Sequence, residues 1–156
     1  MKNPPAGWPR LSCCLYYDDP AAAIDWLCRA FGFEVRLKVE GDEGQIVHSE
    51  LTFGEALVMV GGTHGKDPGR EHYQKQHTSP KSLGGANTQS ICLHIDDADA
   101  HCARSRAAGA EVFREPATSD YGDDYWADRS YGARDPEGHQ WWFIQRVRDP
   151  KPHAAS

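Results

Sequence analysis

Residues 11–35 read LSCCLYYDDPAAAIDWLCRAFGFEV, and residues 91–112 read ICLHIDDADAHCARSRAAGAEV. Each stretch opens on an apolar run, Leu11 to Tyr17 or Ile91 to Ile95, and passes through an Asp-Asp pair into a helix-forming segment. Each then closes on Gly-x-Glu-Val, at Gly32 to Val35 and Gly109 to Val112. In the first copy Asp18 or Asp19 caps a helix whose first position is Pro20, where a missing N–H costs nothing. Ile24, Leu27, Cys28 and Phe31 fall on one helical face, and Gly32 supplies the stop. The Asp-Asp pairs stand 78 residues apart, half the chain, and aligning the copies needs one single-residue gap. A repeat of this length predicts two similar modules around a shared cleft.

The pattern extends outward from both copies. Phe33 to Val39 alternates apolar and charged residues, as a half-exposed strand does. Ile46 to Phe53 and Ala56 to Val60 read as a hairpin about Phe53-Gly54-Glu55. In the second half, Thr88 to Ile95 reads as a strand, Ala98 to Ala108 as a helix and Glu111 to Arg114 as a strand. Tyr125 to Ala133 and Gln140 to Arg146 read as a hairpin about Asp135-Pro136-Glu137-Gly138. Each module is therefore strand, helix, then three strands, and the fold class is α+β. Residues 1–9, with three prolines, read as an irregular arm. Module one spans 10–61, a glycine-rich linker 62–86, module two 87–146, and a frayed tail 147–156.

The net charge of -6 and pI near 5.7 argue against nucleic-acid binding, which needs a basic face. No apolar run approaches the roughly 18–20 residues of a membrane span, so no membrane role is expected. Five cysteines without CxxC spacing predict reduced thiols and a cytoplasmic protein.

The chain resembles the vicinal oxygen chelate superfamily, which holds glyoxalase I, bleomycin-resistance proteins and extradiol dioxygenases. The segments that carry the resemblance include Tyr16-Tyr17-Asp18-Asp19, Ile24-Asp25-Trp26, Gly32-Phe33-Glu34-Val35 and Ser49-Glu50-Leu51 in the first half. In the second they are Gly109-Ala110-Glu111-Val112, Asp128-Arg129, Tyr131-Gly132 and Arg134-Asp135-Pro136-Glu137-Gly138-His139. The single-chain, paired-module layout is most similar to glyoxalase-like and bleomycin-resistance-like members. The resemblance implies a cup-shaped mixed sheet with helices outside, a homodimer, and in many members a divalent metal held by four His, Gln or Glu ligands. Counted from the Asp-Asp marks and the last turn, those positions fall on Ser12, Glu50, Ser90 and Trp142. One carboxylate among four holds a transition metal poorly, so no metal or other cofactor is expected.

Strand alternation gives the cup an aromatic and polar lining. Tyr16, His48, Glu50, His94, Trp126, Asp128 and Trp142 are the candidate ligand-binding residues, with Trp142 as a stacking platform. Such a lining suits a planar or amphipathic organic molecule held without a metal. The alternative is a glyoxalase-like lyase or isomerase using Glu50 with His48 and His94, with or without a divalent metal. There His48 and Glu50, on one strand face, form the catalytic pair.

Overall fold

The computed structural model describes residues 2–63 and 76–151. Asp19 starts the first helix by accepting a hydrogen bond from the Ala22 N–H at 3.0 Å. Pro20 takes the first helical position, and α1 (Pro20–Phe31) ends at Gly32, whose φ of 85° is left-handed and whose N–H donates to the Cys28 carbonyl. Asp97 repeats the device on the Ala100 N–H, opening α2 (Ala98–Ala107). The cap read from the sequence at Asp18 or Asp19 thus falls on Asp19, and Asp97 of the second Asp-Asp pair supplies the same device.

The chain divides into two units, Met1–Ala86 and Asn87–Ser156. The first holds β1 (Cys13–Tyr17), α1, β2 (Glu34–Glu40), β3 (Ile46–Phe53) and β4 (Ala56–Gly62). The second holds β5 (Ile91–His94), α2, β6 (Glu111–Asp120), β7 (Ala127–Arg134) and β8 (Gln140–Arg148). Each unit is a four-stranded mixed sheet, in the order β1-β4-β3-β2 or β5-β8-β7-β6. In each, the first and last strands pair in parallel and the remaining pairs are antiparallel. The fold is α+β, with one βαβββ module in each unit.

Alternation decides which face of each sheet is core. In the first unit Leu15, Tyr17, Leu51, Val58 and Val60 are buried together with Ile24, Leu27, Ala30 and Phe31 of α1. Each large side chain so buried contributes about 1.5–3 kcal/mol. In the second unit Leu93, Tyr131, Ala133, Trp141 and Phe143 are buried with Ala98 and Cys102 of α2. The Tyr131 hydroxyl shares this core with Ser105 Oγ at 2.9 Å and His101 Nδ1 at 2.5 Å. Burial there pushes the phenol well above its ordinary range.

Several boundaries differ from the sequence expectation. The strand expected over 111–114 runs to Asp120, because β6 and β7 stay paired to their tip, where Asp120 stands opposite Ala127. The expected tail starts later, since β8 continues to Arg148 opposite Ala127. The strand expected to be half exposed, β2, is exposed along its whole length, as the edge of its sheet. The described end of the linker is ordered: Ser79 is fully buried and caps a 3₁₀ turn, Pro80–Leu83, on the Lys81 N–H. The linker histidines His64 and His72 lie outside the described residues.

Candidate functional site

In the first unit the face away from α1 carries a charge cluster. A β-bulge between Val35 and Leu37 inserts Arg36 into β2 opposite Glu50. A bulge lets two residues of one strand oppose one of its partner and re-aims the inserted side chain. Arg36 Nη1 donates to Glu50 Oε2 at 2.9 Å, and His48 Nε2 lies 2.9 Å from Glu50 Oε1. Glu50 is buried at 5% exposure, so both oxygens are satisfied within the protein. The expected His48–Glu50 pair is therefore present, with Arg36 as a third member that alternation along β2 did not reveal.

The N-terminal arm reaches the Arg36 member of this cluster. The Trp8 N–H donates to the Pro5 carbonyl, closing a turn that sets the Trp8 ring 5.6 Å from the Arg36 guanidinium carbon. Tyr16 stands on β1 and stacks on His77 at 4.2 Å between ring centroids. Gly61 leaves room for it, since a Cβ there would meet the Tyr16 ring at 3.3 Å. Cys14 Sγ stands on the same face. Although part of the residue reaches solvent, desolvation raises its thiol pKa, partly offset by a hydrogen bond to Tyr16, which disfavours the thiolate.

In the second unit the equivalent face carries aromatic rings and cations. A bulge at the same place, between Val112 and Arg114, inserts Phe113 into β6. Its ring fills the space over Gly132, where an added Cβ would sit 2.4 Å from it. Phe113 meets Trp142 edge-to-face, with centroids 5.4 Å apart and planes at 85°. The Arg114 guanidinium lies 5.3 Å from the Trp142 ring centre, and that of Arg134 lies 4.9 Å from the Phe113 ring. Arg134 is also held by Glu111 at 2.6 Å. Beside Trp142 the register sets Cys92 and Gly132, and along β8 stand Gln140 and Ile144. His94 is exposed on β5 opposite Ile144.

Trp126 and Asp128 do not join this group. Trp126 lies in the hairpin between β6 and β7 with Tyr121 and Tyr125, at centroid distances of 5.7 and 6.1 Å. Arg146 stacks on it at 5.3 Å and pairs with Asp128 at 2.6 Å. Six residues separate Trp126 from Gly132, which is about 20 Å along a strand. The expected single lining is therefore split within this unit, because alternation fixes a face but not a position along it.

Among the described residues, the donors do not gather into a metal centre. Within either unit, no three His, Cys, Asp or Glu side chains among the described residues gather as a metal-holding group. Glu50, the one carboxylate at a counted position, has a guanidinium on one oxygen and an imidazole on the other. A divalent cation at Glu50 would meet the fixed charge of Arg36, so these residues do not fit one. Ser12 and Ser90 precede β1 and β5, and Trp142 offers no ligand atom.

A family profile described as Glyoxalase/Bleomycin resistance protein/Dioxygenase superfamily matches residues 11–143. An uncharacterized protein of Mycobacterium bovis is 33% identical over 141 residues, covering 90% of this chain and 86% of its own. An uncharacterized protein of Mycobacterium tuberculosis is likewise 33% identical over 141 residues, covering 90% of this chain and 76% of its own. Among solved structures, TioX from Micromonospora sp. ML1 aligns with a TM-score of 0.65 at 31% identity, over 89% of this chain and 99% of TioX. A superfamily member from Sphaerobacter thermophilus aligns with a TM-score of 0.63 at 17% identity, over 86% and 94% of the two chains, a likeness of fold alone.

Proposed function

The chain belongs to the glyoxalase/bleomycin resistance protein/dioxygenase superfamily, and from that premise we propose that it binds a small planar or amphipathic organic molecule without using a metal. One observation carries the reading: Phe113 and Trp142 meet edge-to-face on the sheet side away from α2, with Arg114 and Arg134 over the rings. Large π surfaces bordered by a few donors suit a flat organic ligand, which gains stacking area at little entropic cost. Gly132 supports the platform by giving the Phe113 ring its place. In the first unit, Tyr16, His48 and Glu50 are candidate ligand contacts on that unit's own face. In this reading the chain's residues stack, orient and desolvate the ligand and leave its bonds unchanged.

Members of this superfamily often bind a divalent metal, but the Arg36–Glu50 pair weighs against one here. They also commonly form dimers, and a homodimer belongs to the proposal; a monomer mass in sedimentation equilibrium would remove that part. The test of binding is a titration of tryptophan fluorescence with a panel of planar aromatic compounds. Saturable quenching that is lost in Trp142→Ala supports the reading. A flat response to every compound counts against it.

The 2.9 Å contact of His48 with Glu50 favours a second reading, a glyoxalase-like lyase or isomerase in which this pair moves protons. Proton exchange at the carbon next to a carbonyl, followed by NMR in heavy water, tests it. Exchange lost in both His48→Ala and Glu50→Gln would establish this reading over simple binding.

A further inference from the structure

We propose that the molecule bound on the Trp142 platform is an aromatic oxyanion, a flat ring system bearing a carboxylate or like group, and that Arg114 receives that group. The inference rests on the binding reading above and adds the charge of the ligand to it.

Each unit carries an arginine at its bulge, Arg36 as the inserted residue of the first and Arg114 as the residue after the inserted Phe113 of the second. In the first, Arg36 is neutralised by buried Glu50 at 2.9 Å. In the second, the residue at the Glu50 position, opposite the same point of the bulge, is Gly132. Among the described residues, no carboxylate pairs with Arg114, and its one contact of note is the Trp142 ring. The neighbours set around Trp142 by the register, Cys92, Gly132, Gln140 and Ile144, carry no carboxylate. Arg134 adds a second positive charge 4.9 Å from Phe113, and among the described residues its partner Glu111 is the one acidic group bound to either arginine. Two guanidinium groups against one carboxylate leave this aromatic surface positive, on a chain whose net charge is -6.

This combination selects a ligand class. A cation over an indole is held by the ring quadrupole, which leaves its N–H donors unspent. A guanidinium presents those donors as a planar fork that matches the two oxygens of a carboxylate. A flat ligand stacked against Trp142 and Phe113 brings an attached carboxylate to the edge of that surface, where Arg114 stands. A cationic ligand meets like charge there, and a neutral one leaves the fork unused.

The experiment uses the full chain and a matched pair of probes, naphthalene-2-carboxylate and the neutral naphthalene-2-carboxamide. Binding is read from the Trp142 indole N–H resonance, assigned by its loss in Trp142→Phe. The carboxylate is expected to bind about tenfold more tightly than the amide, the size of one charge-assisted hydrogen-bonded contact. Raising the salt narrows the gap, because the contact is solvent-accessible. Arg114→Gln brings the two affinities together by weakening the carboxylate more than the amide, and an unchanged midpoint in urea unfolding shows that the fold is intact. Equal affinities of the two probes for the unaltered protein overturn the oxyanion assignment while leaving planar binding in place. A tenfold preference that survives Arg114→Gln overturns the assignment to Arg114. Failure of both probes to bind overturns the assignment together with the reading on which it rests.

Discussion

The two units lay out the same strands, place a bulge at the same point of the second strand, and build opposite chemistry upon it. Counted from the helix caps and the strand register, Arg36 corresponds to Phe113, Glu50 to Gly132, Met59 to Trp142 and Tyr16 to His94. In the first unit the bulge delivers a cation to a buried carboxylate. In the second it delivers a ring to a glycine and to the tryptophan beyond. The backbone device is shared because a bulge bends and twists an edge strand whatever its side chains are. The chemistry differs because the residue opposite the bulge is a large acid in one case and has no side chain in the other.

The largest contrast lies in the turn between the last two strands, and removing it should cost most. The Asp135 carboxylate is buried and accepts from the Glu137 and His139 N–H groups and from Trp141 Nε1 at 3.0–3.1 Å. The first unit joins the same strands at Phe53-Gly54-Glu55-Ala56, where the acid is exposed. Asp135→Ala strands three donors in a buried setting and should destabilise by about 3 kcal/mol or more in urea unfolding, with Glu55→Ala near zero. Equal effects at the two turns would break the contrast. The next effect is at Gly132. Gly132→Ala forces the Phe113 ring from its place, for about 1–3 kcal/mol of overpacking and a loss of ligand quenching. The same substitution in a Phe113→Ala background should cost much less. A cycle with no coupling between the two sites would show that Gly132 is not shaped for that ring.

The sequence made the fold legible through few signals, each with a local cause. Asp19 and Asp97 cap helices, Gly32 takes a left-handed φ, and alternation sorted Leu51 and Trp141 to one face and Glu50 and Trp142 to the other. Arg36, Phe113 and Arg114 escaped notice because they sit at bulges. A period-two reading holds only while strands stay in register, and one inserted residue moves every later side chain to the other face. The counted positions met a different limit, the choice of strand. Glu50 stands on β3 and Trp142 on β8, so they are not equivalent; the counterpart of Trp142 is Met59 on β4. The turn at Trp8 that covers Arg36 has no periodicity to betray it, since its placement depends on a contact with a residue 28 positions away.

The charged cluster of the first unit should be worth less than its geometry suggests. Glu50→Gln keeps the shape and removes the charge opposite Arg36. A buried pair loses heavily when one member goes, but the Arg36 side chain is 32% exposed and recovers hydration. A loss of about 1 kcal/mol in urea unfolding is expected. A cost as large as that of Asp135→Ala would mean that this cluster holds its unit as firmly as the turn holds the second, and the contrast would fall.

The smallest effect concerns a pair the first unit lacks. Asp99, in the first turn of α2, takes two hydrogen bonds from Arg129 at 2.6 Å; by count along the elements, the corresponding residues in the first unit are Ala21 and Val47. The hydrogen bond from Arg129 holds the Asp99 carboxyl below its ordinary value. A carboxyl with a depressed folded pKa binds its proton less readily in the folded state than in the unfolded one. Its stabilisation is therefore complete above the unfolded value of about 4 and is lost as the pH falls through the folded value. Asp99→Asn should lower the unfolding temperature slightly at pH 7 and have no effect at the acid end. Both side chains are open to solvent, so the difference stays small and shrinks with salt. The negative charge also sits at a helix N-terminus, which favours it without Arg129. Arg129→Gln separates the two causes: if it leaves the pH dependence of the Asp99→Asn difference unchanged, the helix end and not the arginine holds the carboxyl down.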